Sequence, residues 1–265
     1  MRLLISCMEC VKDLQKNGKL NSNIGSMFMQ VELCDNDMYE LTCPAGHKTT
    51  TMLQQQRFEL LFEIGANAIL DGYYREAVLS FTSSLERFYE FSIRVFSKKS
   101  SGSGELFKKC WKKVDNQTER QLGAFIFLWA TNFNEVPNLL LDDQVKFRNA
   151  VIHKGKIPSK DKAIELGNII LGIVRPTMMK LKKMMPDEID KVVSNHLSEI
   201  VSSSKKGVLI ATESMPTILS LNVGDEAYHK KTLEQHLIGI DRWRKLEEEI
   251  KKGNVTIHHN KQTGE

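Results

Sequence analysis

Arg148, Asn149 and His153 stand together in "FRNAVIHKGK", residues 147–156, and bring three tools of polar chemistry into six positions. A guanidinium is a permanent cation with five N–H donors, an amide can orient a ligand from either end, and an imidazole can move protons near neutral pH. The stretch reads as the end of a helix, broken by the segment Gly155 to Pro158. At about 100° per residue, Asn149 and His153 fall on one polar face beside Asp142 and Lys146. With Arg148 at zero, Leu141, Val145 and Ile152 fall at about 20 to 60°, and Leu140, Val151 and Phe147 at about 260 to 300°. Arg148 therefore lies inside the apolar arc, where a cation needs an anionic or hydrogen-bonding partner to offset its desolvation. Glu86, at the apolar edge of "SFTSSLERFYEF" with Leu79 and Ile93 seven residues away on either side, is the candidate. His153 occupies the last turn, where unpaired carbonyls favour an imidazolium. The plainer alternative is a helix end that His153 caps, with Arg148 snorkelling to the surface.

A second constellation lies near the start. "CMEC" gives Cys7 and Cys10 the C-x-x-C spacing with which one tight knuckle presents two thiolates to one ion. "CPAGH" offers Cys43 and His47, with Pro44 and Gly46 forming the turn between them. Four soft or borderline donors suit tetrahedral zinc, and Cys34 is an alternative ligand. "MFMQVEL" and "MYELTC" read as strands separated by the turn "CDND", the layout of a zinc ribbon. Such a closed shell supports folding and leaves no position for substrate. A five-cysteine chain without an export signal also argues against a disulfide framework.

The elements that would position these groups follow from periodicity. Near Thr49 to Thr51 the strand-like alternation stops, and helical patterns are expected at about 51–70, 73–96, 104–113, 118–132, 137–153, 159–185 and 187–203. Pro137 suits a helix start, and Asp71-Gly72 marks a break. After the serines at 202–204, "GVLIATESMPTILSLN" reads as two short strands weakened by Pro216, and 226–252 as another helix with a polar tail. The expected fold is mainly α: an antiparallel helical bundle at 51–204, preceded by a small β zinc ribbon at 1–50 and followed by a small mixed appendage at 205–265.

The net charge of +4 says little, but its distribution says more. Between Lys98 and Lys113 six lysines face the single acid Glu105, and between Lys146 and Lys162 six bases face Asp161. Both segments can meet phosphates, although solvated helix faces look the same in sequence. Apolar runs such as Leu122 to Ala130 fall short of the roughly 20 residues that span a bilayer, so the expectation is a soluble, cytoplasmic chain with no membrane partner.

"RNAVIH" resembles the R-N-x-x-x-H motif of the HEPN superfamily, the higher-eukaryote-and-prokaryote nucleotide-binding family of helical bundles. The preceding "FELLFEIGANAILDGYYREAVLSFTSSLERFYEF" resembles the first two helices of that fold, with Glu86 in the second, and the similarity spans about 51–185. The resemblance implies a metal-independent endoribonuclease acting as a homodimer whose two motifs share one cleft. His153 would move protons, Arg148 would stabilise the phosphorane, Asn149 would orient phosphate or histidine, and Glu86 would hold Arg148 or contact substrate. Lys108, Lys109, Lys146, Lys154 and Lys156 would line an RNA track, with Trp111 either stacking on a base or packing in the core. The family further implies a toxin or antiviral-defence (abortive-infection) effector with a cognate antitoxin or defence-system partner, zinc being structural and no cofactor needed for cleavage. The competing expectation is a non-catalytic zinc-ribbon and helical adaptor for nucleic acid or a partner protein.

Overall fold

The computed structural model describes residues 1–17, 27–99, 104–202 and 210–251. Among these, ten helices and five strands make a mainly helical protein with small β elements. Contacts divide the chain into two units, one of 1–53, 200–213 and 238–265, the other of 54–199 and 214–237. No described helix is long and apolar enough to cross a membrane.

The first unit opens with β1 (Arg2–Ser6) and α1 (Met8–Asn17), followed by β2 (Phe28–Glu32), β3 (Met38–Thr42) and β4 (Lys48–Leu53). β1 and β2 form an antiparallel pair, with Leu4 opposite Gln30. β3 and β4 form a hairpin in which Tyr39 faces Thr51. The β-branched run Thr49 to Thr51 carries this strand onward to Leu53, past the expected boundary, because each residue still has a ladder partner. The first helix of the second unit therefore starts later than the expected position 51.

That second unit contains α2 (Arg57–Leu70), α3 (Tyr74–Lys99), α4 (Gly104–Trp111), α5 (Thr118–Phe133), α6 (Asp142–His153) and α7 (Lys160–Met184). α8 (Pro186–Ser202) follows α7. α2 begins where Glu59 turns back to accept the backbone N–H of Gln56 at 2.6 Å. It ends at Gly72, whose φ of 82° a side chain would disfavour. α3 is the central helix, packed against α2, α5, α6 and α7. Phe58, Phe62, Phe81, Phe88 and Phe125 are all fully buried in this core. Phe62 and Phe81 lie 4.7 Å apart by ring centroid, and a Cβ built on Gly65 would come within 2.5 Å of Phe81. A Cβ on Gly167 would meet Leu233 and come within 3.1 Å of Phe81. Glycines on α2 and α7 thus make room for one ring.

The expected helix at 137–153 is shorter. Pro137 is buried but lies outside any helix, and α6 starts at Asp142, where Gln144 accepts the Leu141 backbone N–H at 2.9 Å. Asp142 and Asp143 complement the helix N-terminus. Of the two expected C-terminal strands, the structure describes β5 (Ile210–Glu213), which pairs parallel with β4. The segment 207–209 lies outside the described residues, and 214–225 has no strand. The expected helix at 226–252 is interrupted at Lys231-Thr232, giving α9 (Glu226–Lys230) and α10 (Leu233–Lys251). Thr232 is the break because its N–H donates to Gln235 Oε1 at 2.9 Å, starting a new helix.

Candidate functional site

α6 brings Arg148 against α3. Arg148 Nη1 lies 3.5 Å from Glu86 Oε1, with both side chains 25% exposed. The placement follows from the helix register: Val151 is buried, Phe147 and Ile152 are half-buried, and Arg148 sits between them. Leu141 does not belong to this packed arc, since it precedes the helix and is 65% exposed. One long ion pair does not exhaust a guanidinium. Nε of Arg148 is buried without a hydrogen-bond partner among the described residues, so the group retains donors for a further acceptor.

Burial raises the Glu86 carboxyl above the usual range, opposed by the charges of Arg148 and Arg87 and reinforced by Glu119. Tyr89, one helical turn along α3, belongs to the same cluster. It is buried, its ring lies 4.7 Å from that of Phe125, and its phenol is raised by burial, with Arg148 acting in the opposite direction. The sequence reading did not single out Tyr89 or Glu119. The signal was present for Tyr89 in its i+3 relation to Glu86, but an aromatic at that spacing also reads as plain core.

Asn149 is half-buried and His153 exposed, one turn apart on the outer face of α6. The helix is closed by backbone and not by the imidazole: the carbonyl of Ala150 accepts from the N–H groups of Lys154 and Lys156, at 3.2 and 3.1 Å. Gly155, at φ 69°, makes the turn. Lys146, Lys154 and Lys156 are exposed, and Lys156 Nζ stands 5.4 Å above the Phe147 ring. Lys108 and Lys109 are exposed on α4. Trp111 is engaged on its faces, stacked with Phe107 at 5.7 Å and covered by the Arg94 guanidinium at 4.7 Å. A base is therefore not free to stack on it as it stands.

In the first unit, Cys7, Cys10, Cys43 and His47 converge, all four donor atoms lying within 4.8 Å of one another. Cys10 Sγ is 3.8 Å from Cys43 Sγ and 3.4 Å from His47 Nδ1, while Cys7 Sγ is 3.9 Å from the same nitrogen. A tetrahedral ion with metal–sulfur bonds of about 2.3 Å has ligand–ligand edges of about 3.8 Å, so the spacing fits a metal. The two halves differ from the expected pair of knuckles. Cys7 and Cys10 lie at the start of α1, whereas Cys43 to His47 forms the β3–β4 turn, with Gly46 at φ 84°.

The turn is built to hold a thiolate. Burial acts to raise Cys43, but the backbone N–H groups of His47 and Ala45 outweigh it and bring the thiol down to about 7. Cys10 is pushed up to about 12 by burial and by the neighbouring sulfurs, a crowding that a divalent cation would reverse. Cys7, Cys10 and Cys43 are buried together with Met27, flanked by Val11, Leu14 and Met29, which shields the cluster from water. Cys34 is not a ligand: its thiol points to Asn36 Oδ1 at 3.0 Å.

No family model, curated protein or solved structure matches this chain.

Proposed function

We propose that the helical unit is a metal-independent endoribonuclease of HEPN type. The observation that carries the reading is Arg148, held at a half-buried position by Glu86 while keeping an unpartnered buried Nε. The side chain is 25% exposed, so a phosphate oxygen can approach the guanidinium from solvent, and the unpaired Nε marks donor capacity that the protein itself leaves unused. His153, exposed one turn beyond Asn149, can reach a substrate that approaches α6 from solvent.

RNA brings its own nucleophile. The 2′-oxygen gives up its proton and attacks the adjacent phosphorus, the bond to the 5′-oxygen breaks, and that oxygen takes a proton as it leaves. The products are a 2′,3′-cyclic phosphate and a 5′-hydroxyl, with no oxidant and no metal needed. His153 exchanges the protons, Arg148 stabilises the charge on the phosphorane, and Asn149 orients the phosphate. A homodimer supplies two histidines to one cleft, one as base and one as acid. Release of such an activity inside a cell would make the protein a toxin or antiviral-defence effector, held in check by a cognate partner.

Cys7, Cys10, Cys43 and His47 would hold zinc as a structural ion, since a closed Cys3His shell leaves no open position. The deciding experiment is cleavage of cellular RNA by the zinc-loaded protein in buffer free of magnesium and of any other added metal ion. Activity that is present in the parent and lost in Arg148→Ala and His153→Ala supports the nuclease. Equal cleavage by the folded variants, or RNA binding without any cleavage, overturns it in favour of an adaptor. Induced expression of the parent and of His153→Ala, compared by growth, tests the toxin assignment.

A further inference from the structure

Between α3, α4 and α5 lies a groove of about 600 Å³ that the cleavage chemistry does not use. Its floor is apolar, made by the buried Ile93 and Phe96 with Leu128 beside them, and its wall is the stacked pair Phe107 and Trp111. Lys99 stands at its edge, exposed, with Nζ 3.0 Å from Asn132 Oδ1. α4 and the turn after it add four more exposed cations, Lys108, Lys109, Lys112 and Lys113. The only acid in the sequence from Lys98 to Lys113 is Glu105. An apolar slot of this size, with Lys99 at its edge and four exposed lysines on the neighbouring α4 segment, matches a flat aromatic body that carries negative charge on a flexible backbone.

We infer that this groove, lined by Phe96, Phe107, Trp111 and Leu128 and edged by Lys99, with Lys108 and Lys112 exposed on the adjoining α4 segment, holds an unstacked base of single-stranded RNA. The inference rests on the nuclease reading and adds to it a second contact site that anchors the strand. Position supports it as well as charge. Ile93 is two turns beyond Glu86 on the same face of α3, so the groove begins about 10 Å from the Arg148–Glu86 pair. One short strand can lie across both. The neighbouring phosphates meet the lysines, while the base enters below Trp111, whose outer faces are already taken by Phe107 and Arg94. An acidic protein segment would satisfy the lysines but has less use for an apolar floor beside an aromatic wall.

Cys110, exposed at the groove, supplies a direct reporter. The probe is a 2′-O-methyl oligoribonucleotide of about twelve residues, which lacks the nucleophile and so reads binding apart from cleavage. The full zinc-loaded chain is treated with a thiol reagent, with and without probe, and Cys110 and Cys34 are followed by peptide mass. The probe should slow alkylation of Cys110 about tenfold or more and leave Cys34 unchanged. Ala124→Trp, which fills the groove from α5, should weaken probe binding by about tenfold, the effect of losing one bound base. Lys108→Glu with Lys112→Glu should reduce the salt dependence of binding. Unaltered alkylation of Cys110 in the presence of bound probe overturns the inference, as does full affinity in folded Ala124→Trp. Protection by an acidic peptide or by self-association, with none from RNA, overturns it too. If cleavage fails while Cys110 is protected, the groove stands and the nuclease falls.

Discussion

Arg148 Nη1 and Glu86 Oε1 lie 3.5 Å apart, joining α6 to α3 across 62 positions of sequence. If this contact aims the guanidinium at phosphate, Arg148→Ala loses at least about 100-fold in cleavage rate. Glu86→Gln, which keeps the shape but removes the charge, loses about tenfold, or about 1.4 kcal/mol of transition-state stabilisation. Tyr89→Phe should lower activity less than Glu86→Gln while leaving the melting temperature within a few degrees. Single-turnover rates together with thermal melts separate these effects from unfolding.

Glu86 also sets an acid limit. Its carboxyl is raised by burial, so it takes up a proton at a higher pH than an exposed glutamate, and Arg148 then loses its charged partner. Cleavage by the parent should fall as the pH drops through that point, and the limb should be missing from the pH–rate profile of Glu86→Gln. Persistence of the same limb in the variant would assign it to another group.

Glu59 governs stability on the alkaline side of the same range. It is buried at the start of α2, with its oxygens accepting from the backbone N–H groups of Gln56 and Leu221, yet burial dominates and raises its pKa from 4.5 to about 7. A carboxyl whose folded pKa is raised contributes stability below its unfolded pKa, and that contribution is lost as pH rises toward the folded value. Between pH 4.5 and 7 this amounts to about 3 kcal/mol. Denaturant unfolding of the parent should show the decline, and Glu59→Gln should be flatter over this window. Identical slopes would refute the assignment.

Metal content gives an independent test of the first unit. The purified chain should carry one zinc, lost in Cys10→Ser and Cys43→Ser and retained in Cys34→Ser, whose sulfur faces Asn36. Because the ligands must shed protons to bind, affinity should fall as pH is lowered. Since zinc in small folds contributes on the order of 10 kcal/mol, chelation should unfold this unit, as read by hydrogen exchange in β3 and β4.

Close packing around Phe81 predicts a cost at a position with no polar role. Gly167→Ala would push a methyl group against Leu233 and Phe81, and should destabilise the helical unit by about 1–3 kcal/mol in equilibrium unfolding. An unchanged midpoint would mean that α7 shifts freely.

The sequence by itself determined a good deal. Helical periodicity marks the bundle helices, because apolar residues must recur every three or four positions to bury one face. The types and spacing of Cys7, Cys10, Cys43 and His47 identified a metal set, and the wheel put Arg148 among apolar neighbours with Glu86 as its partner. Tertiary structure decided what local pattern leaves open. Strand pairing, a long-range interaction, carried Thr51 to Leu53 into β4, and β5 joined them from the far end of the chain. Backbone capping by Gln144 moved the start of α6 to Asp142 despite the favourable Pro137. Packing placed Tyr89 beside the ion pair and excluded Cys34 from the metal cluster. Periodicity records which face of an element is buried, whereas the partner it is buried against is fixed only when distant segments close on one another.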